Sequence, residues 1–355
     1  MRKEKNPNIL TLKESREIIK SNLREMKRLE KIKREAKTPD QFTTFMKCND
    51  NVLEIEDLET HFFTDNGVVR SVHKISLDIP KDSIVGLVGE SGCGKSVTSL
   101  SVMQLVQAPQ GQVVGGQIRF NSDELRRGKN GQDRCYDITK MPTLDMCRIR
   151  GKEISMIFQE PMTSLNPVFT VGYQIEEVFY LNKPDATKEE ARQKAIDMLT
   201  LVGIPMPETI INYYPHQLSG GMRQRVMIAI ALTGTPKLII ADEPTTALDV
   251  TIQSQILRLL KRVQGECGAS ILLITHDLGV VSEMADYVVV MYAGKIVEKG
   301  TVYEIFDNPM HPYTIGIQKA KPSLASDAGE ELYSIPCNVP NPIHIPDECL
   351  FKGRC

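Results

Sequence analysis

The sequence predicts an α/β fold built around a phosphate-binding loop, and three observations carry that prediction. Gly89-Glu-Ser-Gly-Cys-Gly-Lys-Ser96 fits the pattern G-x-x-x-x-G-K-[ST] at every position. The loop sits between an apolar run, Ile84 to Val88, and a segment that can form a helix, Ser96 to Val106. Two further short apolar runs, Leu238 to Ala241 and Ser270 to Ile274, suit buried parallel strands.

The loop's chemistry follows from its residue types. Gly89, Gly92 and Gly94 let the backbone wrap an anion closely, and Glu90, Ser91 and Cys93 supply the remaining N–H groups. The helix that follows adds a favourable dipole. Lys95 is placed to reach the β- and γ-phosphates of a nucleotide, and the Ser96 hydroxyl to ligate Mg²⁺.

Residues 51–80 read as strands. Leu53-Glu-Ile-Glu alternates, and Asp65-Asn66-Gly67 signals a hairpin. Residues 121–150 are polar and Gly-rich and read as an inserted surface loop. Residues 187–202 and 219–232 read as helices, and Tyr287 to Met291 as a further strand. From Asn308 onward proline is frequent and periodicity fades.

The chain has 355 residues and a net charge of −2, unevenly spread. Residues 1–37 carry 13 Lys/Arg and 6 Glu, so a basic arm of +7 precedes a body of −9. The arm reads as one charged helix over 11–37, with Ile19, Leu23, Met26 and Leu29 or Ile32 as its apolar stripe. Such a helix packs on the body, touches anionic lipid or a membrane partner, or binds nucleic acid. The lack of aromatics speaks against nucleic acid. No apolar run approaches the length of a membrane span, and no secretory signal opens the chain. The expectation is a protein of the cytosolic side, free or peripheral on a membrane.

Lys237-Leu-Ile-Ile-Ala-Asp242-Glu243 is an apolar strand ending in two carboxylates. Beside a phosphate loop, Asp242 suits Mg²⁺ and Glu243 suits a general base for an attacking water. Leu218-Ser-Gly-Gly-Met-Arg-Gln224 opens the preceding helix. Ser219 is a natural N-cap, and Gly220 and Gly221 bare backbone N–H groups, a second anion-binding helix start. Two phosphate-type sites in one chain suggest that each is half of something.

In these motifs, and in their order, the chain resembles the ATP-binding subunits of ABC transporters. The resemblance covers residues 51–320 and implies a RecA-like core with an antiparallel β-subdomain and a helical subdomain. It implies that Phe62 stacks on adenine. It makes Gln159 the Q-loop glutamine that touches Mg²⁺, Asp249 the D-loop aspartate and His276 the switch histidine. It further implies a head-to-tail dimer, in which Ser219, Gly220, Gly221 and Asp249 reach ATP held by the partner's loop. Three departures stand out: Lys81-Asp-Ser83 lacks the family's usual Gly-Glu pair, the 121–150 segment is long, and the basic arm lies outside the core.

Gln159 to Pro167, Tyr214 to Gly221 and the His311-Pro-Tyr313 element resemble the oligopeptide/dipeptide/nickel import branch. That resemblance implies an ATPase energising peptide uptake. Its partners are a second ATPase subunit, two permeases and an extracytoplasmic binding protein, and its place is the cytoplasmic face of the cell membrane. Nickel chelates and sugars stay open as cargo. A soluble ABC protein of ribosomes or DNA is the rival, and so is a subunit that binds ATP without turnover. The reading divides the chain into an arm (1–48), an ATPase domain (51–305) and a C-terminal extension (306–355).

Cys337, Cys349 and Cys355 stand close together near the chain's end, with eleven and five residues between them. Their spacing lacks the short pair of a structural zinc site. A [4Fe–4S] cluster, which some members of the branch carry here on four cysteines, tolerates wider spacing. With three cysteines, Asp347 or His344 is a candidate fourth ligand, and free thiols remain an alternative.

Overall fold

Strands form here where both faces of an apolar run can be covered. In β4 (Ile84–Val88) Ile84 and Val88 enter one core while Val85 and Leu87 enter another. The same alternation runs through β8 (Leu238–Asp242) and β9 (Ser270–Thr275). A sheet between two cores has no polar face, so its strands read as continuous apolar runs. The computed structural model describes residues 11–35, 37–125, 131–246, 248–320, 333–343, 345 and 348–355.

The central sheet has the order β11-β10-β4-β9-β8-β7, with β7 at Ile154–Ile157, β10 at Tyr287–Tyr292 and β11 at Lys295–Thr301. All its pairs are parallel except β10 with β11. A second, antiparallel sheet has the order β1-β6-β5-β2-β3. Its strands are β1 (Thr43–Phe45), β2 (Asn51–Thr64), β3 (Gly67–Pro80), β5 (Gly111–Phe120) and β6 (Arg134–Asp137). The hairpin predicted at Asp65 to Gly67 joins β2 to β3.

In chain order the helices are α1 (Leu12–Arg34), α2 (Lys95–Val102), α3 (Thr143–Ile149), α4 (Pro161–Ser164), α5 (Val171–Asn182) and α6 (Lys188–Leu201). Then follow α7 (Pro207–Ile210), α8 (Gly220–Thr233), α9 (Val250–Cys267), α10 (Leu278–Met284), α11 (Val302–Asp307) and α12 (Pro312–Lys319). Helices α5, α6 and α8 pack on one another as a helical lobe. Among the described residues no helix is long and apolar enough to cross a membrane.

Three expectations need correction. The segment 121–150 is not a surface loop. It contains β6 and α3, and it buries Ile138, Met146 and Ile149 under the antiparallel sheet. Polar composition hid this because the buried residues are few and include polar Asp137; residues 126–130 lie outside those described. The C-terminal segment is less loop-rich than expected, since α12 follows His311, whose Nδ1 accepts the Tyr313 N–H as an N-cap. Helix α11 also runs across the 305/306 boundary.

The third correction concerns α1, which forms over the expected span. Thr11 and Glu14 make a capping box, and Lys31, Lys33 and Arg34 complement the dipole at its end. Of the predicted stripe Leu29 is buried and Ile19 and Met26 are half-buried, whereas Leu23 is exposed, as is Ile32, the alternative to Leu29; Asn22 is buried beside them. A hydrogen bond turns the helix this way: Asn22 Nδ2 donates to the Thr64 carbonyl at 2.8 Å, beside the β2–β3 hairpin. Leu29→Ala should therefore destabilise the docked arm by about 2 kcal/mol. Chemical denaturation would measure that loss, and early protease cleavage within α1 would locate it.

Candidate nucleotide site

Parallel pairing brings the loop and the carboxylates to one edge of the sheet. Val88 is in register with Thr275, and Asp242 with Ile274. The segments that leave β4, β8 and β9 are the loop 89–94, Glu243 and His276. Gln159 follows β7 on the same side. In open parallel sheets this carboxyl edge is where ligands bind.

The loop is closed on itself. Lys95, buried at the start of α2, donates from Nζ to the carbonyls of Gly89 at 2.8 Å and Glu90 at 3.1 Å. At Gly89 a Cβ would collide with the Met291 carbonyl oxygen. At Gly94, with φ +105°, it would collide with the Ser71 carbonyl oxygen. Neither position admits a side chain. The Cys93 side chain is buried, and burial pushes its thiol up, away from thiolate chemistry.

Ser96 Oγ donates to Asp242 Oδ1 at 3.0 Å. Ser99 Oγ stands 3.5 Å from the other carboxylate oxygen. Asp242 is 5% exposed, and desolvation raises its carboxyl above the ordinary value, although the Ser96 hydrogen bond opposes that. A hydroxyl and a buried carboxylate that want for positive charge fit Mg²⁺.

Glu243 is a node. Its backbone has φ +46°, an uncommon conformation for a residue with a side chain. Gln159 Nε2 donates to its Oε2 at 3.0 Å and Thr246 Oγ1 at 2.9 Å. His276 Nδ1 lies 3.3 Å from its Oε1. Gln159, Glu243 and His276 thus converge on one carboxylate, although the first two are 84 residues apart in sequence.

The Ser219 turn stands elsewhere. Ser219 caps α8 by accepting from Met222 N at 3.3 Å, and Ser219 and Gly220 are exposed. Gly221 abuts the start of α9, where a Cβ would stand 3.0 Å from Ile252 Cγ2. Asp249 caps that helix through Ile252 N at 2.9 Å. Ser219, Gly220, Gly221 and Asp249 therefore share one exposed surface. Among the described residues they make no hydrogen bond or ion pair to the loop 89–96. Phe62 lies on β2, half-buried, with its ring edge against Gly111.

The sequence reading passed over two groups that hold the loop. Tyr313 Oη accepts the Glu90 N–H at 2.9 Å. Arg354 Nη1 pairs with the Glu90 carboxylate at 3.0 Å and its Nε donates to Pro336 O at 2.9 Å. Tyr292, Tyr313 and Phe351 pack as a ring cluster beneath this contact. The His-Pro-Tyr element named Tyr313 only as a marker, and no signal pointed to Arg354. Between the loop, His276 to Leu278 and Tyr333 to Ile335 lies a cleft of about 660 Å³.

The three terminal cysteines are all exposed and unpaired. Among the described residues no cluster of three potential metal ligands includes them, so the structure does not assemble the expected [4Fe–4S] or zinc site. The Arg354 bridge spends the tail's reach on the phosphate loop instead. His344 and Asp347, the candidate fourth ligands, lie outside the described residues.

With this geometry in view, comparison with known proteins is decisive. A family model described as ABC transporter matches residues 72–246, and one described as the C-terminal region of oligopeptide/dipeptide transporters matches residues 297–355. The oligopeptide transport ATP-binding protein AppD of Bacillus subtilis (strain 168) is 50% identical over 304 residues, covering 86% of this chain and 88% of its own. The chain belongs to the ABC transporter family, in its oligopeptide/dipeptide branch. The dipeptide transport ATP-binding protein DppD of Escherichia coli (strain K12) is 46% identical, with the same coverage. Among solved structures, the dimeric bacterial ABC transporter cassette MJ0796 superimposes with a TM-score of 0.60 at 24% identity, over 70% of this chain and 98% of its own. That likeness shows the ABC cassette fold.

Two predictions follow from the cassette's electrostatics. Burial makes ionisation of Asp242 oppose folding. In acid both folded and unfolded chains hold the proton and the cost is absent. As pH rises through the ordinary carboxylate value the unfolded chain ionises first, and stability falls until the raised folded value is passed. Metal-free Asp242→Asn should therefore melt higher than the parent at neutral pH, with the gap closing in acid, while losing Mg²⁺-dependent nucleotide binding. Thermal melts across pH would read the first effect and nucleotide titration the second. Arg354→Ala should cost about 1–2 kcal/mol, after allowance for the partial exposure of Glu90. It should also weaken ATP binding, measured by calorimetric titration.

Proposed function

We propose that this chain hydrolyses ATP to energise peptide uptake through a membrane transporter. The observation that carries the reading is the convergence of Gln159 and His276 on the Glu243 carboxylate, at the sheet edge that holds the phosphate loop. Lys95 and the N–H groups from Gly89 to Ser96, those of Glu90, Ser91, Gly92, Cys93 and Gly94 included, hold the phosphates. Ser96 and Asp242 offer oxygen ligands to Mg²⁺, and the amide oxygen of Gln159, whose Nε2 is held by Glu243, is a further one. When bound, that ion neutralises charge on the phosphoryl group. Glu243 is the general base: its carboxylate takes a proton from the attacking water. Gln159, Thr246 and His276 orient it, and His276 is 59% exposed on the side chain, free to meet a γ-phosphate.

The exposed Ser219 and Gly220, with Gly221 half-buried behind them, and the exposed Asp249 support a dimer in which each subunit completes the other's site. Phe62 stacks on the adenine. The partner assembly is a second ATPase subunit, two permeases and an extracytoplasmic peptide-binding protein. The chain sits peripherally on the cytoplasmic face of the cell membrane. Support for peptides as cargo comes from the C-terminal region, residues 297–355, and from relatives named for oligopeptide and dipeptide transport.

In the transporter reconstituted with its cognate subunits, Glu243→Gln should lower ATP turnover by about 10²–10⁴-fold and leave ATP binding intact. Uptake of labelled short peptides into the same vesicles should stop. Unchanged turnover would overturn the role of Glu243, and ATPase activity unresponsive to any peptide would overturn the cargo.

A further inference from the structure

Away from the nucleotide edge, Glu59, His61 and His73 meet on the antiparallel sheet. Glu59 and His61 are two residues apart on β2 and so face the same way. Thr60 between them points into the core, where its hydroxyl meets Ser101 Oγ at 2.8 Å. His73 comes from β3. Leu58 is in register with Ile75 and Thr60 with Val72, so Glu59 stands opposite two residues, His73 and Lys74. This is a bulge, and Lys74 takes φ +52° within it. The bulge delivers His73 to the face that already carries Glu59 and His61.

Both distances from Glu59 to the histidines are those of neighbouring ligands. Glu59 Oε2 lies 3.5 Å from His61 Nε2 and 3.5 Å from His73 Nδ1. Those distances are long for charge-assisted hydrogen bonds, which run at about 2.7–2.9 Å. They match the donor-to-donor edge of a tetrahedral zinc site, about 3.3–3.5 Å for bonds of about 2.0–2.1 Å. One donor atom from each residue lies within 4.8 Å of the other two. His61 Nε2 and His73 Nδ1 are both buried atoms without a hydrogen-bond partner among the described residues. Buried polar atoms are rarely left so, and an ion between them accounts for both at once. Arg70 and Lys295 stand near and disfavour a dication, whereas the Glu59 carboxylate opposes them.

We propose that Glu59, His61 and His73 form a site for a divalent transition metal of the zinc type, with one position open to water. Two imidazoles and one carboxylate select zinc-like ions over Mg²⁺ and Ca²⁺, which take oxygen sets. The site pins β2 to β3 where their ladder is broken. It also backs the phosphate loop: His73 N donates to Gly294 O at 2.8 Å, and Gly294 N donates to Cys93 O at 2.9 Å.

The test uses the full-length chain carrying Cys337→Ser, Cys349→Ser and Cys355→Ser, stripped with a chelator and titrated with Zn²⁺. The expected result is saturable binding of about one equivalent, a zinc-dependent rise in melting temperature, and a Co²⁺ adduct without thiolate charge-transfer bands. His61→Ala and His73→Ala should each weaken binding by at least about 100-fold. His73→Gln, which keeps the side-chain bulk, should do the same and covers the case in which His73→Ala fails to fold. Absence of saturable binding, affinity unchanged in the histidine variants, or thiolate bands with Co²⁺ would each overturn the site.

Discussion

The parallel register of β4, β8 and β9 is the constraint on which the site depends. It places the ends of three buried strands level, so that Val88, Asp242 and Thr275 hand their chains to the same edge. Side chains from segments far apart in sequence then meet without long reaches. A slip of one residue in any pair would swap side chains between the two cores and misfit the packing of both. The register is accordingly held by the alternation of Ile, Leu and Val between the two cores. Loops at that edge inherit their precision from the sheet.

That placement sets a conflict between stability and chemistry. Asp242 ends a strand whose other residues are all buried and apolar, and its carboxyl is desolvated for it. Glu243 takes a left-handed backbone to leave the strand and reach Gln159, Thr246 and His276. Strain and desolvation collected at one edge mark a site shaped by something other than folding alone. The scaffold tolerates both because its cores extend on either side of the sheet.

Much of this was legible in the residues. Buried strands announce themselves when both faces are covered, and a glycine-rich loop between strand and helix has few alternative uses. The burial of Asn22 in preference to Leu23 on α1 was not legible, because hydrophobicity ranks Leu23 above Asn22 and says nothing of the Thr64 carbonyl waiting for a donor. Nor was the burial of Met146 and Ile149 inside a polar segment. The His61–His73 meeting depends on a bulge, which shifts register without leaving a pattern in the sequence. Arg354 is a lone arginine among loops, and only three-dimensional closure gives it Glu90.

That last contact spans 264 residues. Chains are made from the N-terminus, and domains form as they emerge. The phosphate loop is therefore made well before Tyr313 and Arg354, the two residues that hold Glu90. The hold of Tyr313 and Arg354 on Glu90, and the ring cluster around Phe351 beneath it, can be added only once those residues are made. Contacts of such long sequence separation form late and slowly. A chain lacking Arg354 would present the phosphate-loop motif without the arginine that braces Glu90.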